Sequence, residues 1–128
     1  MYKNNYPHKR YRITLEFLKK YIDTNEEILD LGVPNPFSEI MKKNNYTVFN
    51  TQGEDLDTEF STVKKSNAST VTAFEIFEHL VAPLNVLREI KGNSNTTIFA
   101  LIQLINLANC LVFYDFFLNR SFRSYIFI

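Results

Sequence analysis

Two groups of side chains have the types and spacing to do chemistry. The first is Asp30-Leu31-Gly32, an acid and a glycine that close the apolar run Ile28-Leu29. A glycine there lets the backbone come close to a ligand. The second is Glu75, Glu78 and His79, spaced i, i+3, i+4, which share one face if that turn is helical. Two carboxylates and an imidazole could hold a divalent cation. Packing and capping is the stronger reading of that trio, so no metal is expected. Asp30 and Glu75 each stand where an apolar run ends. Ligands of open α/β sheets sit outside the carboxyl ends of the strands, so both acids point toward one crevice and a nucleotide-type ligand.

The surrounding pattern supplies the elements that must position them. Tyr11, Leu15, Leu18 and Ile22 recur as one face of a helix over 10–22, with Lys19 and Lys20 in its last turn. The run 28–31 reads as a central parallel strand. Asn35 and Pro36 suit the cap and first residue of a short helix through Phe37, Ile40 and Met41, closed by Asn44-Asn45. Tyr46–Phe49 predicts a second strand and Leu56–Phe60 a weak third, with a polar loop over 64–69. Thr70–Phe74 is a strong strand. Pro83 opens a helix to Lys91, capped by Gly92-Asn93, and Thr96–Leu101 is a further strand. Repeated strand–helix–strand order implies a mostly parallel sheet.

The last 28 residues differ, with seven of the chain's aromatics, three charges, and neither Gly nor Pro. Residues 101–118 approach the length of a membrane helix, which needs roughly 20 apolar residues. Gln103, Asn106, Asn109 and Asp115 interrupt the run. The expectation is therefore a buried helix and no membrane association. Two parts follow: residues 1–100, containing the crevice and the N-terminal helix, and residues 101–128, the end of a strand and an apolar tail.

Composition narrows the function classes. The chain has 128 residues, is 45% hydrophobic, and carries 14 basic and 14 acidic groups. One modest core fits that length, and the zero formal charge gives no specific nucleic-acid signal. The single cysteine, Cys110, excludes an internal disulfide and a cysteine-cluster zinc site. With no apolar leader in the first residues, a cytoplasmic location is expected. No nucleophile elbow or phosphate loop occurs, so nucleophilic catalysis has no support.

The motifs ILDLG at 28–32 and TAFEIFEHL at 72–80, followed by Pro83, Leu84, Leu87, Glu89 and Ile90, resemble the class I S-adenosylmethionine-dependent methyltransferases. The resemblance covers roughly residues 10–100. It implies a Rossmann-like doubly wound α/β sheet, partial here, with about five of the family's seven strands. It also implies S-adenosylmethionine as cofactor, with an acceptor that the residues do not identify. By resemblance Asp30 and Gly32 organise the methionine end. Val33-Pro34-Asn35-Pro36 replaces the family's further glycines, as similar loops do in some divergent members, which brings Asn35 to the cofactor. Asn50 matches the acid that takes the ribose hydroxyls, with Glu54, Asp55 or Asp57 as substitutes. Asp55 and Leu56 match the adenine contacts. Phe74 would face the cofactor and Glu75 would line the pocket beside the methyl donor.

The absent glycines, Asn50 and the anomalous tail leave a second reading open: a truncated, non-catalytic remnant acting as a binding or interaction module. A nicotinamide-binding protein is a third, and the prolines in place of G-x-G-x-x-G argue against it. A sheet cut short at five strands would expose an edge, so self-association is expected unless the tail covers it.

Overall fold

Parallel pairing of three short strands organises the molecule. In the computed structural model the backbone is described for residues 6–91, 97–102, 111–117 and 121–127, and side-chain environments for residues 8–90. The chain runs α1 (Tyr6–Tyr21), β1 (Glu27–Asp30), α2 (Pro36–Lys43), β2 (Thr47–Asn50), α3 (Ser61–Lys65) and β3 (Thr70–Phe74). A single 3₁₀ turn at Phe77–His79 leads to α4 (Pro83–Lys91), β4 (Thr97–Ile102), β5 (Leu111–Phe117) and β6 (Ser121–Phe127). The sheet order is β2-β1-β3-β4-β5-β6. β1 pairs in parallel with β2 and β3, and β3 with β4, while the β4–β5 and β5–β6 pairs are antiparallel. The fold is therefore α/β, an open sheet flanked by helices, parallel over β2-β1-β3-β4 and antiparallel beyond.

Alternation along β1 explains why both faces are covered. Ile28 joins Phe17, Leu18, Phe37, Met41 and Val48 in a cluster built with α1 and α2. Leu29 and Leu31 join Val63, Val71, Ala73, Val86 and Ile90 in a second cluster built with α3 and α4. A strand buried on both sides reads as a continuous apolar run, which is what Ile28, Leu29 and Leu31 provide. Asn35 caps α2 in a reciprocal box with Ser38, and Asn45, at φ 69°, takes the left-handed turn that ends it.

Four expectations are corrected. Leu56–Phe60 forms no strand: Asp55 accepts from the backbone N–H groups of Asp57, Thr58 and Glu59, and that turn sends Leu56 into the core. The helix expected over 101–118 is replaced at its described ends by β4 and β5, since Val112, Phe113, Tyr114, Phe116 and Phe117 suit a pleated strand. The described sheet has six strands rather than about five, and it continues past residue 100 into the tail. Lys64 and Lys65 end α3 instead of opening a loop. The expected Gly92-Asn93 cap lies outside the described residues. Among the described residues no helix is long and apolar enough to cross a membrane.

The two-sided burial of β1 carries a measurable consequence. Leu29→Ala is expected to lower unfolding stability by about 2–5 kcal/mol. Val81→Ala, at a side chain 93% exposed, is expected to stay within about 0.5 kcal/mol of the parent. Urea unfolding of the two variants checks this, and equal midpoints would contradict the core assignment.

Candidate functional site

The order of the strands creates the crevice. The chain leaves β1 on one side to form β2, then crosses back to form β3 on the other side. Outside the carboxyl ends of β1 and β3, where the winding changes direction, lies a pocket of ≈ 300 Å³. Gly32 and Asn35 reach it from the loop after β1, and Phe74 and Glu75 from the end of β3. Arg10, Tyr11 and Thr14 of α1 close its third side. A site at such a switch point follows the general rule for open α/β sheets.

Asp30 is the structural centre beneath the pocket. Its carboxylate is 1% exposed. Oδ1 accepts from Thr72 Oγ1 at 2.7 Å, and Oδ2 accepts from Asn50 Nδ2 at 3.0 Å and Asn35 Nδ2 at 3.2 Å. One acid thus ties β1 to β2, to β3 and to the cap of α2. Burial raises its pKa above the ordinary value, and the bonds from Thr72, Asn35 and Asn50 offset only part of that effect. Asp30 therefore holds the site together from below, and its side chain is not among the pocket-lining groups.

The loop after β1 is held by its own polar groups. Gly32 has φ +110°, and its N–H donates to Thr51 Oγ1 at 2.7 Å. The backbone angle calls for glycine, and a Cβ at this position would lie 3.2 Å from Ile76 Cδ1, which would have to give by a few tenths of an ångström. Asn35 Oδ1 accepts from the backbone N–H groups of Phe37 and Ser38, both at 3.0 Å. Its Nδ2 also donates to Val33 O at 3.2 Å.

On the opposite wall Glu75 sits at φ 58°, a left-handed conformation unusual for a side-chain-bearing residue. Arg10 Nη1 donates to Glu75 Oε1, and the two side chains are only 18% and 31% exposed. The guanidinium carbon also lies 5.6 Å from the Tyr11 ring centroid. Tyr11 stacks on Phe37 at 5.5 Å, and Phe37 meets Phe74 edge-on at 5.1 Å, giving one aromatic wall. Thr14 lines the pocket with its Oγ1 buried and without a hydrogen-bond partner.

Gly32, Asn35, Phe74 and Glu75 are thus gathered at one pocket, with Asp30 directly behind them. Asn50 stands apart from it. Its Nδ2 is committed to Asp30 and to Gly32 O at 3.1 Å, and its Oδ1 is buried and unpaired. Asp55 is exposed in its turn and Leu56 belongs to the core, so neither lines the pocket. Asp57 accepts from the backbone N–H groups of Val81 and Ala82, just before α4. Because the helical segment begins only at Phe77 and Glu75 is left-handed, Glu75, Glu78 and His79 do not share a helical face. Among the described residues no group of three or more His, Cys, Asp or Glu is placed to hold a metal ion.

Sequence reasoning missed Arg10, Tyr11, Thr14, Thr51 and Thr72. Thr14 had a visible signal, a hydroxyl beside Leu15 on the apolar stripe of α1. Comparison with known proteins finds no matching family model, no matching characterised protein and no matching solved structure.

The raised pKa of Asp30 fixes the sign of a pH effect. The folded chain holds this proton more tightly than the unfolded chain, whose carboxyl titrates near 3.8. Stability from this group therefore falls as pH rises from that value through the folded one, and the loss is then constant. Asp30→Asn removes this dependence, although its amide group faces the Asn35 and Asn50 donors and should cost about 1–3 kcal/mol. Urea midpoints from pH 4 to 8 should show the wild type losing its advantage over the variant as pH rises. A constant or growing advantage would contradict the assignment.

Proposed function

We propose that the chain is a class I methyltransferase with a Rossmann-like sheet, binding S-adenosylmethionine in the pocket at the ends of β1 and β3. The observation that carries this reading is the position of the pocket. It lies at the one switch point of the parallel strands, over the glycine turn of β1 and beside the acid that ends β3. Motif residues 42 or more positions apart in the sequence meet there. Both motifs that carry the resemblance contribute residues to one pocket, which supports the reading.

The residues present fit such a ligand in two ways. Gly32 provides the close backbone approach and Asn35 fixes the loop above it. The wall of Tyr11, Phe37 and Phe74 offers aromatic surface to a sulfonium cation. Asn50, assigned to the ribose hydroxyls by resemblance, stands apart from the pocket and reaches such a ligand only if its side chain turns away from Asp30 and Gly32 O. When bound, the cofactor supplies an activated methyl group, so the protein's work is to hold acceptor and donor in line and to exclude water. Asp55 and Leu56, assigned to the adenine by resemblance, reach such a ligand only if their turn moves toward it.

A non-catalytic binding module is the second reading, and the size of the pocket favours it. At ≈ 300 Å³ the pocket is at the lower end of small-molecule sites, with little room for an acceptor beside the cofactor. Association through an outer strand, β2 or β6, belongs with this reading.

Calorimetric titration with S-adenosylhomocysteine tests the cofactor site. The wild type should bind saturably, and Gly32→Ala should bind at least about tenfold more weakly, equivalent to about 1.4 kcal/mol. Circular dichroism establishes that the variant is folded. A folded wild type with no heat of binding and no rise in melting temperature at millimolar ligand would sink the proposal.

A further inference from the structure

We infer that β2 is a dimerisation edge, pairing antiparallel with β2 of a second copy of this chain about a two-fold axis at Phe49. This fixes which outer strand associates, in what register and with what, and it does not depend on the ligand of the pocket.

The backbone of β2 is set for such a partner. The strand pairs with β1 alone, so its other side is an open edge of the sheet. Thr51 N–H donates to Asp30 O at 3.3 Å, which turns the polar groups of that residue toward β1. By strand alternation Phe49 and Thr47 turn theirs the same way, while Val48 and Asn50 send N–H and C=O to the open side. Tyr46 belongs to the outward set, but its N–H is taken by Met41 O at 3.2 Å. Pairing centred on Phe49 sets Val48 opposite Asn50 of the second copy, and Asn50 opposite its Val48. Each pair exchanges both N–H···O bonds, so all the outward groups of these two residues are used. Centring on Val48 would instead oppose Asn50 with Tyr46, whose donor is already committed.

The side chains point to the same arrangement. Thr47-Val48-Phe49-Asn50 contains neither a charge nor a proline, the devices that keep edge strands from pairing. β6, at the opposite edge of the described sheet, carries Arg123. Phe49 is 52% exposed and lines a groove of ≈ 470 Å³ formed with β1 and α3. At the axis it meets Phe49 of the second copy in the closer, non-hydrogen-bonded type of pair, which covers both rings.

The charges of the groove favour a second copy in this orientation. α3 returns the chain from the end of β2 to the start of β3, so Lys65 shares one end of the groove with Glu27. Asn50, Gln52 and Ser61 line the other end. Antiparallel pairing sets each charged end against an uncharged one, and no like charges meet. The zero formal charge of the chain adds no general repulsion between copies.

Sedimentation equilibrium of the full chain over a concentration series should show monomer and dimer. Phe49→Lys should weaken the dimer at least about tenfold without changing the circular dichroism spectrum. Crosslinking tests the register, with Cys110→Ser as the parent. Phe49→Cys should form an interchain disulfide on oxidation, because facing Cα atoms in such a pair lie about 4.5 Å apart. Thr47→Cys should not, since its counterpart is displaced by roughly 14 Å along the strands. A monomeric wild type, a dimer that Phe49→Lys leaves intact, no crosslink through Phe49→Cys, or an equal one through Thr47→Cys would each overturn the proposal.

Discussion

The buried carboxylate of Asp30 is the constraint on which the rest of the site depends. An acid in that position must satisfy its oxygens locally, and the chain does so with one donor from each neighbouring part: Thr72 of β3, Asn50 of β2 and Asn35 at the cap of α2. Each donor fixes the end of the element that carries it. The same three bonds therefore set the spacing of the strand ends, the path of the loop after β1 and the first turn of α2. Their effect is opposed by burial, which still raises the pKa of the group. The arrangement holds the elements in place and gives up some stability to do so.

Above this base the pocket is made from parts that have no local reason to meet. Glu75 ends β3, Gly32 follows β1, and Arg10 belongs to the N-terminal helix. The sheet brings the first two together because β1 pairs directly with β3, Asp30 opposite Thr72. Arg10 is added by the packing of α1 on the face that carries Ile28 and Val48. That helix is positioned by Phe17, Leu18 and Ile22, so hydrophobic burial well away from the pocket determines where the charge lands.

This explains which parts of the molecule were legible in its sequence. β1, β3 and α2 were readable because their signals are contiguous: an apolar run, a β-branched run, and an Asn-Pro start followed by apolar residues at helical spacing. Leu56–Phe60 misled because Asp55 competes for the local backbone and turns the chain before a strand can form. The apolar run beyond residue 100 misled through length, and its β-branched and aromatic content was the better guide. The role of Arg10 was hidden because a contact 65 residues distant leaves no periodic trace. Asn50 was legible by position only: its place at the end of β2 followed from counting, but the turn of its amide onto Asp30 depends on the register of Asp30 with Asn50.

The loop Val33-Pro34-Asn35-Pro36 limits the chemistry further. A helix start ordinarily leaves backbone N–H groups free, and dinucleotide-binding sheets use them to cradle pyrophosphate. Here Pro36, at the first helical position, has no N–H to offer. The N–H groups of Phe37 and Ser38 are bonded to Asn35 Oδ1, and that of Glu39 to Asn35 O at 3.2 Å. All donors of the first turn of α2 are thus accounted for within the chain, and no anion cradle remains. A ligand over this loop must be recognised by other means than an anion cradle, and Arg10 and Glu75, which line the same pocket, are of opposite sign. The loop that departs most from a glycine-rich turn is in this way consistent with a ligand that carries no pyrophosphate.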